Sequence, residues 1–300
     1  MKTIDTLVED IYKVLEDGVL LEEAQNHFER LQENLGSALK RRLIAEEEEA
    51  HRGLRMSNIG VPCSRKLWYT VNEGGNELRE KLTGDTKFKF IYGELTEELI
   101  LLLASLAGHD VQGRQDEMEI NEVHGHRDCV IDGVLIDVKS ASSYSFKKFK
   151  EGKLLDDDPF GYYTQLMSYL YASQDDDLVT EKDKAGFLVF DKQLGHICLD
   201  MHEKPDWFDD LPNAYARRKE LVNSPDLPDR DFQPIPDGKS GNEKLDTYCS
   251  YCDFKHLCHE GLRTFLYSRG PVFLTTVKKE PDVPEVDRNG QIIEKEKKEG

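Results

Sequence analysis

The chain has 300 residues, a formal net charge of -19 and a pI near 4.9, long enough for a sizeable core in one large domain or two small ones. So acidic a balance excludes a generic nucleic-acid coat, which would be strongly basic, although much of the excess acid lies in runs such as AEEEEA and SQDDDLVTEKD. The start, MKTIDTLVEDIYKVLEDG, has no apolar signal-peptide core, and the longest apolar run, LILLLASLAG, is too short to cross a bilayer. The expectation is a cytoplasmic protein with no membrane partner. Six cysteines in such a chain argue against a disulfide framework and for metal ligation or packing.

In chain order, residues 1–53 read as a helical N-terminal region. Ile4, Leu7, Val8, Ile11, Val14 and Leu15 share one helical face, with Gly18 and Gly36 as stops. A core expected over 54–274 opens with a helix near Pro62, since proline suits a first helical turn. YGELTEELILLLASLAGHDV, from Tyr92, is a further helix, apolar nearly all round after Glu98 and so buried. DEMEINEV, HRDCVID and GVLIDVKSA read as strands, the last two joined by an Asp132-Gly133 hairpin turn. DPFGYYTQLMSYLYA returns to helix, and AGFLVFD and GHICLDM form a second strand pair across KQLG. The alternation of helices and strands predicts an α/β fold, a sheet sandwiched by helices. Residues 275–300, charged and proline-bearing with little to bury, read as a disordered tail.

Alternation along a strand puts Asp137 and Lys139 on one face, and a hairpin at Asp132-Gly133 brings Asp128 opposite Asp137. Two converging carboxylates make a hard-oxygen site for Mg2+ or Mn2+. A lysine beside them can orient or deprotonate water and offset charge on a phosphorane-like transition state. Alone, an Asp-x-Lys pair is usually a solvated strand edge, so its company matters. Glu97, at the entry to the apolar helix, is a third candidate ligand, with Glu94 and Glu98 competing for that role. Gln165 and Tyr169, four apart, share a helix face.

Gly93-x-x-x-Glu97, Gly125-His126-Arg127-Asp128, Asp137-Val138-Lys139 and Gln165-x-x-x-Tyr169 resemble, in order and spacing, the motifs of the PD-(D/E)XK nucleases of the RecB-like branch, over most of the chain. The resemblance implies a restriction-endonuclease-like core, a central mixed sheet flanked by helices. It implies metal ligation by Asp128, Asp137, Glu97 and the carbonyl of Val138, catalysis by Lys139, and DNA positioning by Gln165 and Tyr169. Many members of that branch carry His where this chain has Glu97.

CSYCDFKHLC places Cys249, Cys252 and Cys258 in one short segment, and VPCSRKLWY supplies Cys63 far upstream. Four thiolates suit a [4Fe-4S] cluster or Zn2+, and His256 and His259 leave open a zinc site of three cysteines and one histidine. Spacing hardly separates the metals. The segment resembles the iron-sulfur RecB-like nucleases, including AddB-type domains and CRISPR-associated single-strand exonucleases, which implies a cluster stapling the C-terminal segment to the part before the core. Cys129 and Cys198, in apolar strand-like runs, read as buried packing residues.

SASSYSFKKFKEGK interleaves Tyr144, Phe146 and Phe149 with Lys147, Lys148, Lys150 and Lys153, as a single-strand channel would, or as an amphipathic helix with its phenylalanines in the core. Arg65 and Lys66, before Trp68 and Tyr69, are further candidates for phosphate contact. The expected function is a metal-dependent DNA nuclease, an exonuclease on single-stranded or frayed ends in recombination, repair or replication, serving a helicase or recombinase. The alternative is a non-catalytic scaffold binding DNA ends or proteins, which the acidic balance favours. A compact stand-alone nuclease would suit a phage or a mobile element.

Overall fold

Val134–Ala141, the run that carries the Asp-x-Lys pair, is the strand around which one unit of the protein is built. The computed structural model describes residues 2–44, 53–75, 77–80, 83–288 and 290–293. The chain divides into two units, one of residues 1–60 and 82–220, the other of 61–81 and 221–300. The single core expected over 54–274 is thus replaced by two bodies, and the N-terminal helices belong to the first.

The helices are α1 (Leu7–Asp17), α2 (Leu21–Leu43), α3 (Met56–Ile59), α4 (Ser64–Asn72), α5 (Gly84–Leu106), α6 (Ser143–Lys150), α7 (Tyr162–Ala172) and α8 (Leu211–Asn223). Of these, α4 belongs to the second unit. In the first unit β1 (Val111–Gln112), β4 (Cys129–Ile131), β5 (Val134–Ala141), β6 (Lys184–Asp191) and β7 (Ile197–Glu203) form a sheet in the order β1-β4-β5-β6-β7. Only β5 and β6 run parallel, joined through α6 and α7; the other pairs are antiparallel. A separate hairpin pairs β2 (Glu117–Ile120) with β3 (Val123–His126). The expected mixed sheet between helices is therefore found.

Both faces of β5 are buried, which explains its nearly unbroken apolar sequence. Ile136 and Val138 pack with Leu7 and Ile11 of α1 and Ile100, Leu101 and Ala104 of α5. Leu135 and Ala141 pack on the other side with Phe146 and Phe149 of α6 and Leu166 and Leu170 of α7. Burying Phe146 and Phe149 settles the SASSYSFKKFKEGK segment as an amphipathic helix, with only Tyr144 of its aromatics exposed. Gly18 caps α1 at φ 74°, as expected, but Gly36 lies inside α2. Packing of α2 along α5 outweighs the roughly 1 kcal/mol that glycine costs in a helix. The Asp132-Gly133 turn has φ of 52° and 80°, positive at both residues as a type I′ hairpin requires. Among the described residues no helix is long and apolar enough to cross a membrane.

In the second unit, β8 (Ile235–Pro236), β9 (Glu243–Lys244), β10 (Arg263–Tyr267), β11 (Gly270–Thr276) and β12 (Glu285–Val286) form an antiparallel sheet in the order β12-β10-β11-β9-β8. Two single-turn helices, α9 (Thr247–Ser250) and α10 (Lys255–Cys258), carry the cysteines. Tyr69 of α4 packs on Phe254, with Cys252 in the same cluster. The tail expected from 275 is corrected here. β12 pairs with β10, Val286 is buried, and Arg263 reaches both Glu280 and Glu285 at 2.6–2.7 Å. Those ion pairs use the charges that made the segment read as unstructured. Residues 294–300 lie outside the described residues.

Candidate active site

The site begins where the sheet opens. Strand β4 pairs with β5 only as far as Cys129 opposite Ile136, while β6 accompanies β5 from Ile136 to Ala141. Beyond Ile136, no strand among the described residues pairs with β5 on the β4 side. Asp128, the residue before β4, fills that place: its Oδ2 accepts the backbone N–H of Val138 at 2.8 Å. Since the N–H and C=O of one strand residue face the same neighbour, the Val138 carbonyl is turned to the same open edge. Asp128 thus reaches the backbone beside Asp137 across the hairpin.

Asp137 and Lys139 project from the face opposite Val138. Lys139 Nζ lies 2.6 Å from Asp137 Oδ2 and 4.8 Å from the centre of the Tyr162 ring on α7. Asp137 is 3% exposed. Its Oδ2 is buried, with the Lys139 ammonium as its ion partner. Burial works against the Lys139 ammonium, but the charges of Asp137 and Asp128 hold its pKa above the usual lysine range.

Helix α5 brings the third carboxylate. A Cβ on Gly93 would lie 3.5 Å from Ser140 Oγ, so this face of α5 turns to β5, and Glu97, one turn on, shares it. Glu97 Oε1 accepts from Gln115 Nε2 at 3.0 Å. The two competing acids are engaged by arginines, Glu94 by Arg42 at 2.6 Å and Glu98 by Arg114 at 2.6 Å. Burial, then the neighbouring Glu98 and Asp137, push Glu97 up to about 7. Burial, then Asp137 and Glu97, hold Asp128 well above the usual carboxylate range.

Three carboxylates thus share one pocket of field with a single lysine. Such mutual repulsion fits a hard divalent cation, which relieves like-charge repulsion among oxygen donors. As placed, no three histidine, cysteine or acidic side chains among the described residues are grouped closely enough to hold one ion. The fit therefore rests on the chemistry of the donor set.

Gln165 and Tyr169 sit on α7, with Gln165 Nε2 3.3 Å from the Tyr169 hydroxyl. Gly125 is explained by space: a Cβ there would come within 2.7 Å of Met56 Cβ and 3.0 Å of Tyr169 Cε1. Gln165 and Tyr169 line a cleft of about 710 Å³ together with Arg41, Arg42, Arg55, Glu94, His124 and His126. These basic residues escaped the sequence reading, because LKRRL at the end of a helix reads as ordinary dipole compensation. Arg127, inside the Gly125 motif, is buried and bonds Asp116 and Asp176, a structural use.

The four candidate cluster cysteines all fall in the second unit, as free thiols. Cys63 caps α4, accepting from Lys66 N at 3.4 Å, and Arg65 Nη1 lies 3.8 Å from Cys258 Sγ. Burial, then the charges of Cys63, Cys252 and Cys258, push Cys249 up to about 12, and burial first of all pushes Cys252 up to about 11. Cys249 thus lies within the field of the other three sulfurs, but as placed these cysteines are not grouped closely enough to hold one ion. Arg65 also bonds Pro228 O, Lys66 lies over Tyr248, and Trp68 bonds Ser224 O, so this segment is engaged within its own unit. Cys129 is buried as expected; Cys198 is only partly so.

An open strand edge carrying paired acids and a lysine within a mixed sheet is an arrangement suited to hydrolysis. The sequence profile of the PD-(D/E)XK nuclease superfamily matches residues 3–259, and this chain belongs to that superfamily. Among solved structures the chain is similar to "Crystal structure of SSO0001", with 16% identity, covering 76% of this chain and 95% of that one at a TM-score of 0.39. It is also similar to a phage related exonuclease from Haemophilus somnus 129PT, with 17% identity, covering 56% of this chain and 93% of that one at a TM-score of 0.34. No curated protein matches the sequence.

Proposed function

We propose that this nuclease is a Mg2+- or Mn2+-dependent deoxyribonuclease acting as an exonuclease on single-stranded or frayed DNA ends, in recombination, repair or replication. The observation that supports this reading is that Asp128 bonds Val138 at the open edge of β5 beside the Asp137–Lys139 ion pair, with Glu97 in the field of Asp137 and Asp128 in that of both acids. Asp128, Asp137, Glu97 and the Val138 carbonyl would hold the ion, which supplies charge to polarise the scissile phosphate. Asp128 fixes the Val138 backbone, so one residue sets the position of two donors. Lys139, kept protonated by Asp137, orients water and offsets charge building on the phosphate oxygens. The Tyr162 ring holds that ammonium in place. Gln165 and Tyr169 position the strand beside it.

Cys63, Cys249, Cys252 and Cys258 would hold a [4Fe-4S] cluster, with Zn2+ as the alternative. Such a group closes a long loop between α4 and α10 and so supplies folding free energy to the second unit.

The test is digestion of end-labelled linear single-stranded, linear duplex and circular DNA with Mg2+ or Mn2+, beside Lys139→Ala. Cleavage confined to linear DNA and lost in the variant is expected. Cleavage retained in Lys139→Ala would remove this active site, and cutting of circular DNA would remove the exonuclease assignment.

A further inference from the structure

Outside the carboxylate site, the strongest unassigned feature is the basic cleft of the first unit. In a chain of net charge -19, the described residues of its wall include three arginines and two histidines beside one acid, Glu94. Its volume, about 710 Å³, is that of a ligand cleft. Arg42 is held in place by Glu94 at 2.6 Å and lies 5.6 Å from the centre of the Phe90 ring, which is 43% exposed. Arg41 and Arg55 are exposed and make no ion pair among the described residues. The cleft ends at Gln165 and Tyr169, and Tyr169 lies within the field of Asp137 and Asp128. Phe90 precedes Glu94 of the cleft wall by one turn of α5 and Glu97 by two, so the three share one helix face.

We propose that this cleft seats the backbone of an unpaired DNA strand on its way to the carboxylates, with Arg41 and Arg55 on phosphates and the Arg42–Phe90 pair as a shelf for one unstacked base. The inference rests on the nuclease reading and adds to it the strand path and the preference for unpaired DNA. Guanidinium groups without a carboxylate partner among the described residues suit phosphate oxygens. An exposed ring backed by a fixed guanidinium offers a π-face that a base inside a duplex cannot reach. The clamp of Glu94 on Arg42 makes the shelf rigid before the strand arrives.

The experiment measures fluorescence anisotropy of labelled oligothymidylate and of a blunt duplex of equal length. The protein carries Lys139→Ala throughout, so that binding is read apart from cleavage. Adding Arg41→Ala with Arg55→Ala weakens single-strand binding and makes the slope of log K against log salt shallower by about 1.4, two phosphate contacts on a single strand. Phe90→Ala weakens the single strand by roughly tenfold and leaves the duplex unchanged, while Phe90→Tyr, which keeps the ring, binds as the parent does. Unchanged affinity and slope in the double arginine variant overturn the proposal, as does an equal loss on both DNAs in Phe90→Ala. If the parent with Lys139 intact cuts DNA while these variants bind normally, the cleft assignment fails and the nuclease stands. If the variants lose binding but the parent cuts nothing, the strand seat stands without the nuclease.

Discussion

The carboxylate of Asp128 accepts the backbone N–H of Val138 at 2.8 Å, in the place where strand β4 has left β5. One side chain therefore completes a sheet edge and offers its charge to the site. The two roles separate by substitution: Asp128→Asn keeps an acceptor for Val138, whereas Asp128→Ala leaves that N–H unpaired. Both lose DNA cleavage by at least about a hundredfold, but only Asp128→Ala also loses about 1–3 kcal/mol of stability. Cleavage rates beside urea unfolding curves check this, and an active Asp128→Asn would refute it.

Asp137 and Lys139 compensate each other in a buried setting. Lys139→Met leaves a buried carboxylate without its partner and costs about 3 kcal/mol. Adding Asp137→Asn removes the orphaned charge, so the double variant regains roughly 1–2 kcal/mol over Lys139→Met while remaining inactive. A double-mutant cycle by denaturant unfolding reads the coupling; additive losses would show that the two charges do not depend on one another.

Asp10 ties the N-terminal segment to the sheet. Hydrogen bonds from Lys2 and Thr6 are the chief causes that hold its carboxyl at about 2, against 3.8 in an unfolded chain, and His109 Nε2 lies 3.3 Å away. A lowered carboxyl pKa contributes stability that is present above the unfolded value and is lost as pH falls through the folded one. Asp10→Asn therefore melts below the wild type at pH 7, and the gap closes between about pH 4 and pH 2. Thermal melts across that range measure it, and a gap constant with pH would contradict it.

The cysteine site makes a prediction in metal content. Protein purified without oxygen carries iron and acid-labile sulfide, and serine at Cys63, Cys249, Cys252 or Cys258 removes them and lowers the melting temperature by more than about 5 °C. Colourless protein holding zinc would replace the cluster with Zn2+, and loss of neither metal nor stability in any of the four variants would dismiss the site. Serine at Cys129 or Cys198 leaves metal content unchanged.

Gly125→Ala tests the packing beneath the cleft. The added methyl meets Met56 Cβ and Tyr169, neither of which can yield without moving α3 or α7, so a loss of about 1–3 kcal/mol is expected. Cleavage falls with it as Gln165 and Tyr169 shift. A variant with wild-type stability would show that β3 has room that the structure denies it.

Much of the first unit was legible because period and turn chemistry act locally. The apolar run of β5, the two positive-φ residues of the Asp132-Gly133 turn and the apolar second half of α5 each follow from a few neighbouring residues. Local rules also misled. Gly36 read as a stop because propensity says nothing of the α5 surface that α2 packs on, and the chain past 275 read as disordered because its charges find partners on β10.

The sequence by itself determined which residues are candidates for chemistry: the ordered acids, lysine, glutamine and tyrosine, and four cysteines of metal-ligand type, since side-chain identity and spacing are all that such motifs require. Tertiary structure alone decided how they are used. It ended β4 early so that Asp128 reaches Val138, drew Glu94 and Glu98 to arginines while Glu97 took Gln115, and gathered scattered arginines into one cleft. These are contacts between residues tens of positions apart, fixed by packing and by the cost of burying unpaired charge, and no local pattern in the chain encodes them.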